Sequence, residues 1–120
     1  MYKTLLQSFK YAFSGLVYAF RHNQNLWIHL VMGIIVSLVA VVLRVSHFEM
    51  GILGLMILLV MASEMINTAI EQMVDLITTE HRQEAKIAKN VAAGMVLLTA
   101  SGSVIVGILI FTPYILKLFR

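Results

Sequence analysis

Cysteine is absent from this 120-residue sequence, proline occurs once, and charged residues make up only 12% of the chain. Without cysteine the protein can form no disulfide, no thiolate nucleophile and no cysteine-ligated metal site. The formal net charge of +3 is too small and too scattered to indicate nucleic acid binding. These absences exclude disulfide-stapled domains, thiol enzymes and basic nucleic-acid-binding modules.

Apolar residues are abundant instead. They make up 60% of the sequence, and the mean hydropathy is +0.90. This composition lies far outside the usual balance of a water-soluble domain. The length allows one domain with about three bilayer crossings of roughly 20 residues each. We therefore predict an all-α membrane protein in which residues 1–120 form a single membrane domain.

Three long apolar segments are predicted to be membrane helices, at residues 26–43, 50–77 and 91–116. The segment 78–89 between the last two is predicted to be a polar loop. Before the first span, polar residues recur every three or four positions over residues 2–21. This spacing predicts an amphipathic helix lying in the membrane interface, and the alternative is an ordinary packing helix.

Basic residues predict the orientation of the spans, because cytoplasmic loops carry an excess of lysine and arginine. Six basic residues lie on one side of the predicted membrane: Lys3, Lys10, Arg21, Arg82, Lys86 and Lys89. Three lie on the other: Arg44, Lys117 and Arg120. The amino terminus and the 78–89 segment are thus predicted to be cytoplasmic, and the carboxyl terminus to lie outside.

Acidic residues form a stripe at the end of the second predicted span. At about 100° per residue, Glu71 and Asp75 each fall within roughly 20° of Glu64 on a helix. Asn67 and Thr68 flank the same stripe. Ionisable groups at membrane depth are costly unless they are paired, hydrated or bound to a cation. The stripe therefore indicates a functional site, although Asp75 could also be a solvated acid at a helix end.

The spacing within the stripe separates its chemical roles. Glu64 and Asp75 are about 16 Å apart along the axis and Glu64 and Glu71 about 10 Å apart, so they cannot share one ligand. The deeper Glu64 is a candidate general base, and Glu71, nearer water, is a candidate oxygen ligand for Mg²⁺. Lys89 could pair with phosphate. A base, a metal ligand and a cation are the parts of a phosphoryl transferase. The sequence contains no P-loop and no protein-kinase signature, so a nucleotide site would be of another kind.

The residues around this stripe match a known pattern. The order Glu64-x-x-Asn67-Thr68-Ala69-Ile70-Glu71-x-x-x-Asp75, followed by Glu80 and Ala85-Lys86-x-Ala88-Lys89, resembles the small prokaryotic integral-membrane diacylglycerol kinase family, which includes the undecaprenol kinases. The similarity covers nearly the whole chain. It implies a homotrimer with an interfacial helix and three spans per subunit, and active sites shared between neighbouring subunits.

The resemblance also implies an activity and the residues that carry it. Such enzymes transfer the γ-phosphoryl group of ATP, with Mg²⁺, to a lipid alcohol at the cytoplasmic face of the bacterial inner membrane. By resemblance, Glu64 is the base and Glu71 binds the metal. The implied nucleotide-binding residues are Tyr11, Glu71, Glu80, Arg82, Lys89 and Asn90, and Asn67 and Asp75 belong to a polar cluster at the substrate.

Three departures from the family pattern bear on this expectation. Asn23 stands where the family usually has a glutamate that is a second metal ligand, and Asn90 where it has an aspartate. Arg82 and Gln83 replace a His-Pro pair. Asparagine retains a carbonyl oxygen but loses a full charge, so weaker metal binding at Asn23 is expected. The alternatives to a lipid kinase are a weakly active or inactive nucleotide-binding relative and a small cation-conducting membrane protein.

Overall fold

Four α-helices make up the part of the chain that the computed structural model describes, residues 4–120. They are α1 (Leu5–His22), α2 (Gln24–Val42), α3 (His47–Ile77) and α4 (Gln83–Leu118). Three of them, α2, α3 and α4, are long and apolar enough to cross a membrane. The predicted all-helical chain with three such helices is confirmed. The assignment of residues 1–120 to one membrane domain stays a prediction.

The helix α1 begins with a reciprocal pair of hydrogen bonds. The backbone N–H of Gln7 donates to the Thr4 hydroxyl at 3.2 Å, and the Thr4 N–H donates to the Gln7 side-chain oxygen at 3.1 Å. Such a capping box satisfies two amides that the helix itself leaves unpaired. Positions 2 and 3 of the predicted helix lie outside the described residues. The interfacial location of α1 stays a prediction.

One non-helical residue, Asn23, joins α1 to α2. It is the N-cap of α2, and its side-chain oxygen accepts a hydrogen bond from the Asn25 N–H at 2.9 Å. The indole N–H of Trp27 donates to the Phe20 carbonyl across the junction at 2.6 Å. Because the connection is so short, the start of α2 and the cap side chain are held in a defined position.

The helix α3 begins three residues before the span that the sequence predicted at residue 50. Ser46 caps it, since its hydroxyl accepts a hydrogen bond from the Glu49 N–H at 3.2 Å. The Glu49 carboxylate in turn accepts hydrogen bonds from the hydroxyls of Ser46 and Tyr114, each at 2.8 Å. These bonds join the start of α3 to the end of α4.

The predicted polar loop over 78–89 is wrong in its second half, because α4 already begins at Gln83. Glutamine, glutamate, alanine and lysine are good helix formers, and Glu84 in the first turn interacts favourably with the helix dipole. Polarity at this point marks an edge of the apolar segment rather than an end of the helix. A helix of 36 residues is about 54 Å long, well beyond the roughly 30 Å hydrocarbon core of a bilayer.

The helix α3 packs against both α2 and α4. One cluster of buried apolar side chains lies near the α2–α3 turn, formed by Ala40, Val45, Leu53 and Ile110. Farther along, a Cβ atom added to Gly33 of α2 would lie 2.8 Å from Cγ2 of Ile57. A residue without a side chain is therefore needed there for α2 and α3 to approach this closely.

An apolar groove of about 570 Å³ remains between α2, α3 and α4. Its walls include Ile28 and His29 of α2, Met56 of α3, and Ala100 to Ile115 of α4. At 1.5 Å per residue, the α4 side of the groove is about 22 Å long. His29 contributes an imidazole to this otherwise mostly apolar surface.

Candidate active site

The Glu64 carboxylate is the most deeply buried charged group that the structure describes, with 2% of the residue exposed. Two side chains contact it, one from the N-cap of α2 and one from α2 itself. Nδ2 of Asn23 donates a hydrogen bond to Oε2 at 3.0 Å, and Nε2 of His29 lies 3.3 Å from Oε1. A buried carboxylate is costly unless its oxygens are paired, so these two contacts account for its presence at this depth.

Both the amide nitrogen and the oxygen of the Asn23 side chain make hydrogen bonds at the N-cap of α2. Besides Glu64, its amide donates to the Thr68 hydroxyl at 2.9 Å, while its oxygen accepts from the Asn25 N–H. The Thr68 hydroxyl donates to the Glu64 backbone carbonyl at 3.0 Å. An amide placed the other way round would direct its oxygen at the Glu64 carboxylate, which also accepts. Asn23 therefore acts as a donor towards Glu64.

Asn67 and Glu71 form a second pair, one helical turn apart. The Asn67 amide donates to the Glu71 carboxylate at 3.2 Å. The side-chain oxygen of Asn67 is buried and has no hydrogen-bond partner within residues 4–120. Glu71 itself is exposed. An unpaired carbonyl oxygen close to an exposed carboxylate provides the type of oxygen ligand that Mg²⁺ prefers.

The side-chain oxygens of Glu71, Asn67 and Asn23 are the candidate ligands for a magnesium ion. The described residues contain no group of three or more histidine and acidic side chains that could hold a metal. Mg²⁺ usually takes only one or two carboxylates together with phosphate oxygens and waters. The oxygen donors of Glu71 and Asn67 fit an ion of that kind, arriving with nucleotide phosphates. Asn23, whose oxygen accepts from a backbone amide, stays a predicted ligand.

The carboxyl end of α3 and the start of α4 enclose a polar hollow of about 330 Å³, which we call the α3–α4 hollow. Four of the six predicted nucleotide-binding residues line it, together with one member of the predicted polar cluster: Glu80, Arg82, Lys89, Asn90 and Asp75. The turn between the helices, at residues 78–82, brings these side chains to one place. The structure thus brings together four residues that the resemblance grouped as nucleotide-binding, and it adds Asp75 to them.

Two ion pairs lie in the α3–α4 hollow. Nζ of Lys89 is 2.7 Å from Oδ1 of Asp75, and Nε of Arg82 is 3.0 Å from Oε2 of Glu80. All four side chains are substantially exposed, and such pairs contribute at most about 1 kcal/mol each. Lys89 and Arg82 could therefore leave their carboxylate partners and bind a phosphate group at a small cost in free energy.

Other predicted residues lie elsewhere. Tyr11 is an exposed residue of α1 and does not line the α3–α4 hollow. Glu71 does not line it either. Asn67 contacts Glu71, whereas Asp75 contacts Lys89, so the predicted polar cluster is divided between two places. The roles assigned to these residues stay predictions.

His29 lies at the candidate site but was not among the residues that the sequence predicted there. As a lone histidine inside an apolar span, it is more often a helix contact than a ligand. In the structure it touches Glu64 and also lines the apolar groove. The signal was present, since His29 is the one ionisable residue between positions 26 and 43, and such residues indicate function.

Comparison with known proteins identifies similar sequences. A family model described as prokaryotic diacylglycerol kinase matches residues 10–111. A diacylglycerol kinase of Synechocystis sp. is 44% identical over 115 residues, which are 95% of this chain and 66% of that protein. An undecaprenol kinase of Bacillus subtilis is 38% identical over 107 residues, or 89% of this chain and 87% of the relative. The chain thus spans slightly less than two thirds of the Synechocystis relative and most of the Bacillus one.

Proposed function

The chain belongs to the prokaryotic diacylglycerol kinase family, as the resemblance around Glu64 predicted, and on that premise we propose the reaction that it catalyses. It is a multi-pass membrane protein of a lipid kinase family. The proposed reaction is transfer of the γ-phosphoryl group of ATP to a membrane alcohol, either diacylglycerol or undecaprenol. The two curated relatives are named for these two alcohols, and both are candidates here.

The buried Glu64 carboxylate carries this proposal. It lies on α3 close to the apolar groove, and Asn23, the N-cap of α2, and His29 of α2 contact its oxygens. A buried, oriented carboxylate is suited to receive the proton of an alcohol that becomes a nucleophile. The groove supplies an apolar surface beside it, as a substrate with a hydrocarbon chain requires.

The proposed step is direct in-line displacement. The lipid oxygen forms a bond to the γ-phosphorus, and the bond from that phosphorus to the β,γ-bridging oxygen breaks. The bridging oxygen leaves as part of ADP, and the hydroxyl proton passes to Glu64. In such reactions most of the catalysis comes from positioning and from stabilising charge on the phosphoryl oxygens.

The residues of the α3–α4 hollow are proposed to hold the nucleotide. Lys89 and Arg82 would exchange their carboxylate partners for phosphate oxygens, with Asn90 and Glu80 beside them. Glu71 would hold the magnesium ion that accompanies ATP, and that ion would neutralise charge on the phosphates. Tyr11 of α1 is proposed as a further nucleotide contact.

We also propose a homotrimer in the bacterial inner membrane, with the amino terminus in the cytoplasm and the carboxyl terminus outside. The topology follows from the basic residues of the sequence. The assembly follows from the family resemblance, which implies active sites shared between neighbouring subunits. Light scattering of the detergent-solubilised protein, corrected for bound detergent, would give the number of subunits.

The activity is tested by incubating purified protein with MgATP and each lipid alcohol in mixed micelles. Wild type should phosphorylate at least one of them, and Glu64→Gln and Glu71→Gln should each lower kcat at least about 100-fold. Glu49→Gln, on the same helix but at its opposite end, is the matched control and should stay active. Equal turnover by wild type, Glu64→Gln and Glu71→Gln would show that the assignment is wrong.

A further inference from the structure

The proposed base cannot be reached directly from the apolar groove. Glu64 is 2% exposed and is not among the residues that line the groove. His29 has 25% of its side chain exposed, lines the groove, and lies 3.3 Å from Oε1 of Glu64. An imidazole thus stands between the groove and the carboxylate.

We propose that His29 is a catalytic residue that carries the proton of the lipid hydroxyl to Glu64. The proposal rests on the proposed kinase reaction and changes the route by which its proton leaves. The lipid hydroxyl would contact His29 at the wall of the groove, and Glu64 would orient the imidazole and stabilise its positive charge.

The relay requires one tautomer of His29. A carboxylate only accepts hydrogen bonds, so in the proposed relay the imidazole proton is on Nε2, which lies 3.3 Å from Oε1 of Glu64. Nδ1 is then unprotonated. Within residues 4–120 it makes no hydrogen bond to a protein atom. An acceptor nitrogen without a protein partner, on a ring exposed to the groove, is available to a substrate hydroxyl.

The proton and the electrons of this step balance. The hydroxyl proton moves to Nδ1 as the lipid oxygen attacks the γ-phosphorus and ADP leaves. The resulting imidazolium donates from Nε2 to Oε1 of Glu64, which either stabilises the charge or takes up that second proton. This is the arrangement of a nucleophile, a base and an orienting carboxylate, reached here with groups from two membrane helices.

Asn23 supports this arrangement from the other side. Its amide holds Oε2 of Glu64 at 3.0 Å and is itself fixed by Thr68 and by the cap of α2. The carboxylate is therefore oriented with Oε1 towards His29. Asn23 is the N-cap of α2 and His29 lies in its second turn, so the start of one helix sets the two contacts.

The experiment compares His29→Gln, His29→Ala and the matched histidine control His47→Gln, using the full-length protein with MgATP and lipid alcohol. Glutamine keeps a hydrogen-bond donor for Glu64 but cannot relay a proton. We expect His29→Gln to lose at least about 100-fold in kcat while KM for ATP changes less than about twofold. Added imidazole should restore His29→Ala activity at least about tenfold. His47, exposed at the start of α3, should tolerate the change.

The alternative outcomes separate the two proposals. A wild-type protein that phosphorylates neither lipid overturns the proposed function, and the role of His29 with it. A His29→Gln variant with normal kcat overturns the role of His29 alone. If His29→Gln is inactive and imidazole does not restore His29→Ala, the histidine is structural and the relay is likewise overturned.

Discussion

Replacing Asn23 with aspartate is the sharpest test of how Glu64 is held. The change is nearly isosteric, but it turns a donor into a second carboxylate facing Oε2 of Glu64 at about the present 3.0 Å separation. It removes one hydrogen bond to a charged group and one to the Thr68 hydroxyl. Losses of this kind amount to roughly 1.5–3 and about 1 kcal/mol, respectively.

Charge repulsion adds to this loss. Two unit charges 3 Å apart in a surrounding of effective dielectric constant about 20 repel by about 5 kcal/mol, an upper limit because proton or cation uptake relieves it. Because that uptake relieves most of the repulsion, we expect Asn23→Asp to lower the free energy of unfolding by roughly 3–5 kcal/mol without divalent ions. Millimolar Mg²⁺ should restore part of it, since a cation bound by both carboxylates removes the repulsion.

The measurement is unfolding by titration with SDS in mixed micelles, with and without Mg²⁺. Asn25→Asp is the matched control, because Asn25 is exposed and only its backbone N–H takes part in the cap. It should change the free energy of unfolding by less than about 0.5 kcal/mol. If Asn23→Asp is as stable as wild type without Mg²⁺, the contact between Asn23 and Glu64 is not the one described here.

Two further changes test other parts of the structure. Lys89→Ala should raise KM for ATP about tenfold, and it should cost little folding stability because the ion pair of Lys89 is exposed. Lys117→Ala, at the other end of α4, is the control. An unchanged KM for ATP in Lys89→Ala would contradict a contact between Lys89 and phosphate. Gly33→Val should destabilise the protein by about 1–3 kcal/mol in SDS titration, because its Cβ would clash with α3. Gly94→Val, where no atom lies within 4 Å, should have a smaller effect, and equal effects would refute the close α2–α3 contact.

Much of the architecture could be predicted from local patterns. Three long apolar stretches indicated three possible spans because only such stretches are compatible with a bilayer interior. The family assignment, from the motif around Glu64, is confirmed. The predicted start of α4 was wrong, because polar residues such as Gln83 and Lys89 mark the edge of an apolar segment but are still good helix formers.

The candidate site was only partly accessible to such reasoning. Helical periodicity placed Glu64, Glu71 and Asp75 on one face of α3, since it depends only on the repeat of a single helix. The position of Glu64 next to the apolar run predicted that it is the deeper acid and that Glu71 lies nearer water, but it gave no indication of which side chains pair with Glu64. In the structure Glu64 is enclosed, whereas Glu71 and Asp75 are exposed, because α2 covers only part of that face.

By itself, therefore, the sequence determined the helices, the apolar stretches that qualify them as spans, the acidic face of α3 and the family. Each of these depends on neighbours within a few helical turns. Only the tertiary structure decided that Asn23, 41 residues away along the chain, donates to Glu64, and that His29 lies between this carboxylate and the apolar groove. Those contacts depend on how closely α2 packs on α3, and a local pattern carries no information about that distance.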